Sequence, residues 1–392
     1  MNDFRWPLIQ NNITEADKTA LVKHIMTSDR FTQGDKVKKF EQEWSKWLGV
    51  KHSIFVSSGS AANFLTLSAL RDVASVGEVI VPPLTWVSDI VSVIENGFTP
   101  VFVDINPETL ALDYEATKKA ITKNTKAVFL THILGLNGLS TPLQQLLKKH
   151  KIPLIEDACE SHGAKMGTHK VGSIGFASNF SFYYGHHMTT IEGGMVCTND
   201  PEFAQLVRIK RGHGLLREST DPAQLQKHLN NSKQVYKEFD FPVVGFNFRN
   251  NELGAVLGLN QLKRLDKNNT QRSLRLHRFL KGLDKNTYFT RYNTKGSSSY
   301  ALLLQILPDK AHLKSKVEKV LSDLGVEYRR GMSGGGNQLR QGFLKTRGID
   351  IDPTAFVNTE QIHHNGFYIG NFPSLPLKWI DQLCKALNEV AK

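Results

Sequence analysis

The stretch Ser53-Ile54-Phe55-Val56-Ser57-Ser58-Gly59-Ser60-Ala61-Ala62 decides the fold. Its short apolar run reads as a buried strand, and the serines around Gly59 open a helix that continues to Leu70. Outward from it the alternation repeats. Strands are expected at Val79-Ile80-Val81, Val101-Phe102-Val103, Ala127-Val128-Phe129-Leu130 and Ile152-Pro153-Leu154-Ile155. Helices fit between them near Val87 to Ile94, Tyr114 to Ile121 and Leu143 to Lys149, the last with Thr141 as N-cap and Pro142 in its first position. Upstream, Asn11-Asn12-Ile13-Thr14 precedes an amphipathic helix with Leu21, Val22 and Ile25 on one face. Val37, Phe40, Trp44 and Trp47 mark a second helix. Strands alternating with helices imply an α/β chain with a mostly parallel, helix-flanked central sheet.

From Ala177 to Cys197 the pattern becomes strand-rich, broken by Gly185, Gly193 and Gly194. A long helix covers Leu253 to Leu265. The rest reads as a smaller α/β unit, with strands at Tyr300 to Leu304 and Val326-Glu327-Tyr328 and helices at Ala311 to Leu324 and Trp379 to Val390. A large domain, 1–265, and a small C-terminal domain, 266–392, follow from this.

The 392 residues hold 49 Lys and Arg against 37 Asp and Glu, a net charge of +12, with 40% apolar types. That balance excludes long disorder and fibrous repeats. Cys159, Cys197 and Cys384 form no CxxC pair, which excludes a disulfide scaffold and a cysteine-rich metal site; no metal is expected. Met1 to Trp6 has no apolar run behind it and no window is long enough to span a bilayer, so a soluble cytoplasmic protein is expected, with no membrane partner. The lysines are scattered and no nucleic-acid motif is present, so no nucleic-acid partner is expected. The positive balance suits a small anion such as a phosphate or nucleotide-sugar.

Four strand-end stretches carry groups with chemical capacity. Ser57-Ser58-Gly59-Ser60 offers backbone N–H groups at a helix N-terminus, fit for a phosphate, although serine caps also form for local reasons. Trp86, in Pro82-Pro83-Leu84-Thr85-Trp86, either stacks on a flat ring or fills the core. Ile155-Glu156-Asp157-Ala158-Cys159-Glu160 closes a strand with acids; a buried one needs a cation, such as a protonated pyridine nitrogen, or else caps a turn. In Phe180 to Gly194, His186 and His187 are adjacent and diverge, so one metal held by both is disfavoured. Set among aromatics and glycines, they suggest a base in a pocket.

Together these stretches resemble the sugar-aminotransferase (DegT/DnrJ-like) family of fold-type I pyridoxal-phosphate enzymes. The resemblance spans nearly the whole chain. Besides the stretches above it takes in Phe31-Thr32-Gln33-Gly34, Phe40-Glu41, Val103-Asp104-Ile105, His162-Gly163-Ala164, Glu192-Gly193-Gly194, Arg211-Gly212-His213-Gly214, Gly245-Phe246-Asn247-Phe248-Arg249 and Gln261-Leu262. It implies pyridoxal 5'-phosphate or pyridoxamine 5'-phosphate as cofactor, bound by the large domain. It casts Ser58, Gly59, Ser60 and Ser181 as phosphate contacts and Trp86 as the stacking ring. Asp157 resembles the partner of the pyridine nitrogen, and Glu160 stands near the ring hydroxyl where the family usually has Gln. Asn247 resembles the residue lent by a neighbouring subunit, which implies a homodimer with shared active sites. Arg249, Arg329 and Arg340 are candidate substrate contacts, and Ser333 to Arg340 with His363-His364-Asn365-Gly366 are expected to border the sugar.

One position departs from the pattern. His186 stands where the family carries the lysine that tethers the cofactor, and imidazole has no primary amine. The cofactor would rest untethered beside a base of ordinary pKa near neutrality, about 6.5. This resembles the branch of 3-dehydratases that act on GDP-4-keto-6-deoxymannose. The implied activity is C3 deoxygenation of a nucleotide-linked 4-keto-6-deoxysugar, with glutamate as amino donor and His186, Asp157 and Glu160 as catalytic groups, for deoxysugar and lipopolysaccharide biosynthesis. Related C3 dehydratases use an iron–sulfur centre on clustered cysteines, which three scattered cysteines disfavour. His187 is expected to be a bystander. An aminotransferase of the same family is the alternative, and a catalytically inactive sensor with the same fold a third reading.

Overall fold

Seven strands make the central sheet of the computed structural model, which describes residues 5–231, 236 and 239–391. Residues 1–4, part of the stretch read for a leader, lie outside it. The first half of the chain lays down helices α1 (Glu15–Thr27) and α2 (Asp35–Leu48), then β1 (His52–Val56), α3 (Gly59–Val73), β2 (Glu78–Val81), α4 (Val87–Glu95), β3 (Thr99–Phe102), α5 (Tyr114–Ala120), β4 (Thr125–Thr131), α6 (Thr141–His150) and β5 (Leu154–Asp157). A small hairpin of β6 (Lys165–Met166) and β7 (His169–Lys170) precedes β8 (Ala177–Ser181) and β9 (Gly194–Thr198), with α7 (Pro201–Arg211) and α8 (Pro222–Asn231) after them. The remainder holds α9 (Glu252–Gly282), β10 (Ala301–Gln305), α10 (Lys314–Asp323), β11 (Tyr328–Arg330), α11 (Gly342–Lys345), α12 (Val357–Asn365), β12 (Gly366–Gly370) and α13 (Leu377–Glu389).

The sheet order is β1-β9-β8-β5-β4-β2-β3. Only β9 runs against its neighbours; β8, β5, β4, β2 and β3 pair in parallel. Helices cover both faces, so the strands are apolar on both sides, as in Ile54-Phe55-Val56 and Val79-Ile80-Val81, all fully buried. A second sheet, β10-β12-β11, is antiparallel and packs on α9 and α12, with α10 and α13 adding to the same apolar core. The helix expected over Leu253 to Leu265 continues unbroken through position 265 to Gly282. Trp6 at the other end of the chain lies in the core of the small sheet and bridges to Val326.

Two local expectations differ from the structure. The cap of α6 is Ser140, whose side chain accepts from Leu143 N, so Thr141 is already the first helical residue. The apolar face of α1 is not covered by its own chain: Val22 is 60%, Ile25 48% and Met26 77% exposed. Among the described residues no helix is long and apolar enough to cross a membrane.

Candidate active site

Five strand ends open on one cavity of about 470 Å³. In a doubly wound sheet this carboxyl edge is where loops leave room for a ligand. The residues after β1 and β2, the last residues of β4, β5 and β8, and the loop from 182 to 193 supply its walls. Ser58, Gly59, Ser60, Trp86, Asp157, Glu160, Ser181, His186 and Arg329 all line it.

At one end, Ser58 caps α3 by accepting from Ala61 N at 3.0 Å. The remaining first-turn N–H groups, with the Ser60 and Ser181 hydroxyls, form an anion cradle at the positive end of a 15-residue helix. The backbones pack closely here. A Cβ on Gly59 would lie 2.6 Å from the Cβ of Ser181, and one on Gly194 would lie 2.1 Å from Ser58 O. Both positions therefore accept only glycine without displacing the cradle.

At the other end stands Asp157. Alternation along β5 sends Glu156 and Asp157 to opposite faces. Glu156 is structural: it takes N–H bonds from Gly172, Ile174 and Gly175 and meets His132 at 3.0 Å. Asp157 is 3% exposed on the cavity face, accepts from Cys159 N and Asn63 Nδ2 at 2.8 Å each, and has no basic partner among the described residues. A buried carboxylate without a counter-cation costs several kcal/mol, on the order of 3–5 where a partner is missing. Trp86 is 51% exposed, its ring forming a wall rather than core. An anion cradle, a flat wall and an uncompensated acid match the phosphate, ring and pyridinium nitrogen of pyridoxal phosphate.

Among the described residues no lysine lines the cavity; His186 does. Its Nδ1 lies 3.1 Å from Ser181 O, and since a carbonyl only accepts, Nδ1 carries the hydrogen and Nε2 keeps the lone pair. Burial, opposed by the hydrogen bond to Ser181 and the charge of Asp157, pushes its pKa down to about 4 rather than leaving it near neutrality. The ring is therefore the neutral base at physiological pH. His187 points away, buried against His162 with the two Nδ1 atoms 3.3 Å apart. Glu160 accepts from Leu134 N at 3.0 Å and meets Ser333 Oγ at 3.3 Å. Burial first, and the charge of Asp157, raise its pKa to about 7.

The loop carrying His186 is fixed from outside. Thr189 N donates to Gln261 Oε1 on α9 at 2.9 Å, and Phe182 N to Gly193 O at 2.8 Å. Four expected residues lie elsewhere. Asn247 is exposed, in a bridge with Gly212. Arg249 borders a separate groove with Leu21, Ile25 and Ile191, 3.6 Å from Glu218. Arg340 is held by Glu360, and His363 approaches Asn337 N rather than the cavity. Arg329 reaches the cavity rim paired with Glu327 at 3.0 Å. Sequence reasoning passed over Tyr183, Tyr300 and Tyr368, which also line it; aromatic residues at strand ends look like core until the small sheet is brought to the large one.

The profile of the DegT/DnrJ/EryC1/StrS aminotransferase family matches residues 12–388. GDP-4-keto-6-deoxy-D-mannose 3-dehydratase of Escherichia coli O55:H7 is 29% identical over 97% of this chain and 99% of its own. GDP-perosamine synthase of Caulobacter vibrioides is 37% identical over 58% of this chain and 56% of its own. The solved structure of Escherichia coli GDP-4-keto-6-deoxy-D-mannose-3-dehydratase with bound hydrated PLP superposes with a TM-score of 0.89 at 28% identity, covering 98% of this chain and 99% of that one.

Proposed function

The chain belongs to the DegT/DnrJ/EryC1/StrS aminotransferase family, and from that premise we propose that it is a pyridoxamine-phosphate-dependent 3-dehydratase of a nucleotide-linked 4-keto-6-deoxysugar, with glutamate as amino donor. One observation carries the reading: a cavity suited to the cofactor has His186, and among the described residues no lysine, on its wall. The similarity to the 3-dehydratase over nearly the full length of both chains supports the same activity.

When bound, the cofactor supplies an amine for the C4 ketone and a pyridinium ring that takes up electrons. The chain's residues do the rest. The α3 N-terminus with Ser58, Gly59, Ser60 and Ser181 holds the phosphate, Trp86 stacks on the ring, and Asp157 keeps the ring nitrogen protonated. Glu160, protonated to about pH 7, donates toward the ring hydroxyl. His186 Nε2 takes a proton from the carbon beside the amine. An imidazolium whose pKa is about 4 gives that proton up readily, which suits return to the hydroxyl that departs from C3. Arg329 at the rim is the best placed of the three arginines for the nucleotide diphosphate.

The working unit is a homodimer in the cytoplasm. The exposed apolar residues of α1 and Ile191 need covering, and Asn247 is exposed and free to reach a second copy's phosphate end. Three free cysteines suit a reducing compartment. The large unit, 1–265, holds the cofactor and 266–392 closes over the sugar.

Incubation with cofactor, glutamate and GDP-4-keto-6-deoxymannose tests the activity. Free ammonia and a 3-deoxy-4-keto sugar are expected, and His186→Asn should bind cofactor yet lose turnover by about 10²–10⁴-fold. An amino sugar without ammonia would mark an aminotransferase, and binding without conversion a sensor.

A further inference from the structure

Behind the cavity lies a second acid with no part in the chemistry above. Asp89, in the first turn of α4, is 1% exposed. Its Oδ1 accepts from Asn63 Nδ2 at 2.7 Å, and the same nitrogen donates to Asp157 Oδ2 at 2.8 Å. One amide nitrogen from α3, which also lies 3.1 Å from Ser88 Oγ, thus makes its two shortest contacts to the two carboxyl groups. The other oxygen, Oδ2, meets Thr85 Oγ1 and, at 2.7 Å, Thr131 Oγ1, while the two threonine hydroxyls are 2.7 Å apart.

These three oxygens close a triangle of short contacts. Each contact needs a hydrogen, and the two threonines bring one each. The third belongs to Asp89. Electrostatics point the same way: burial, and then the charge of Asp157, raise the Asp89 pKa well above the usual range. The other titratable groups on this side are Cys159 and Glu160, both following β5, and no basic side chain among the described residues pairs with Asp89.

We propose that Asp89 carries a proton at neutral pH and acts as a positioning residue for Asp157, so that the Asp89–Asp157 pair holds a single negative charge. The inference rests on the reading of Asp157 as partner of the ring nitrogen. With Asp89 neutral, one acid balances one pyridinium. With both ionised, a buried charge would remain beside the cofactor.

The infrared spectrum of the folded, cofactor-free protein at about pH 8 reads the proton directly, above the ordinary range of every carboxyl. A protonated-carboxyl band that Asp89→Asn removes is expected, since the amide mimics the neutral acid. In equilibrium dialysis of pyridoxal phosphate, Asp89→Ala should weaken binding about tenfold and Asp89→Asn should restore it to within about threefold. Because Glu160 titrates near 7, the comparison is made in a Glu160→Gln background; there, a band of undiminished area in Asp89→Asn, or Asp89→Asn binding as weakly as Asp89→Ala, overturns the proposal. Should Asp89→Ala not fold, the infrared comparison still decides. Asp157→Asn separates the two readings: it should weaken binding about a hundredfold, and unchanged affinity there sinks the role of Asp157 whatever the band shows about Asp89.

Discussion

His186 and Glu160 are two titratable groups in one cavity whose pKa values have moved in opposite directions, both chiefly because burial disfavours charge. The histidine stays neutral, with its lone pair free; the glutamic acid keeps a proton to about pH 7. A carboxyl whose folded pKa lies above its ordinary 4.5 lends its stability fully below that value and loses it as pH rises through about 7. Melting temperature should therefore fall between about pH 5 and 8 in the unaltered protein and fall less in Glu160→Gln. Equal slopes would show that Glu160 is ionised throughout. The types of both residues are legible in the sequence, but their proton states are not, because these depend on what the fold packs around them. Asp89 is the extreme case: nothing in Val87-Ser88-Asp89-Ile90 announces a neutral acid until α4 meets β5.

Strand and helix existence follows from apolar period along most of the chain, and Ser57 to Ser60 is readable as an anion cradle because a strand end and a helix start coincide there. Failures have local causes. At 140–141 two hydroxyl residues compete to cap α6, and the proline at N2 is compatible with Ser140. At 366–370 a strand follows α12 directly, with Gly366 serving as C-cap and first strand residue, so no turn signal separates them. Resemblance alone did not distinguish scaffold from site among the shared motifs. Glu41 proves to be scaffold: buried on α2, it bonds Phe55 N at 2.9 Å, Arg208 at 2.7 Å and Arg211 at 2.8 Å, tying α2 and α7 to β1. Glu41→Ala leaves two guanidinium groups without their acid and should cost about 3–5 kcal/mol in urea unfolding. A loss under about 1 kcal/mol would mean that water replaces the carboxylate.

For the whole molecule, the residues that remain exposed matter as much as those that are buried. The exposed face of α1 with Val22, Ile25 and Met26, beside the groove of Leu21, Ile191 and Arg249, is the surface on which the proposed homodimer is tested. Light scattering should give twice the mass of the 44.0 kDa chain. Ile25→Glu should shift it toward monomer and weaken cofactor binding through the loss of the second copy's Asn247; a monomeric unaltered protein with full cofactor affinity would contradict the shared site. The positive balance of +12 is not concentrated in the cavity, where Asp157, Glu160 and Glu192 outnumber Arg329.

The central claim is that the cofactor sits beside an imidazole, untethered by any lysine. Borohydride treatment of the pyridoxal-phosphate-loaded protein, followed by peptide mass mapping, tests it most directly. The expected result is no peptide bearing the reduced cofactor in the unaltered protein, and one containing position 186 in His186→Lys. A lysine peptide of the unaltered protein carrying that mass contradicts the claim.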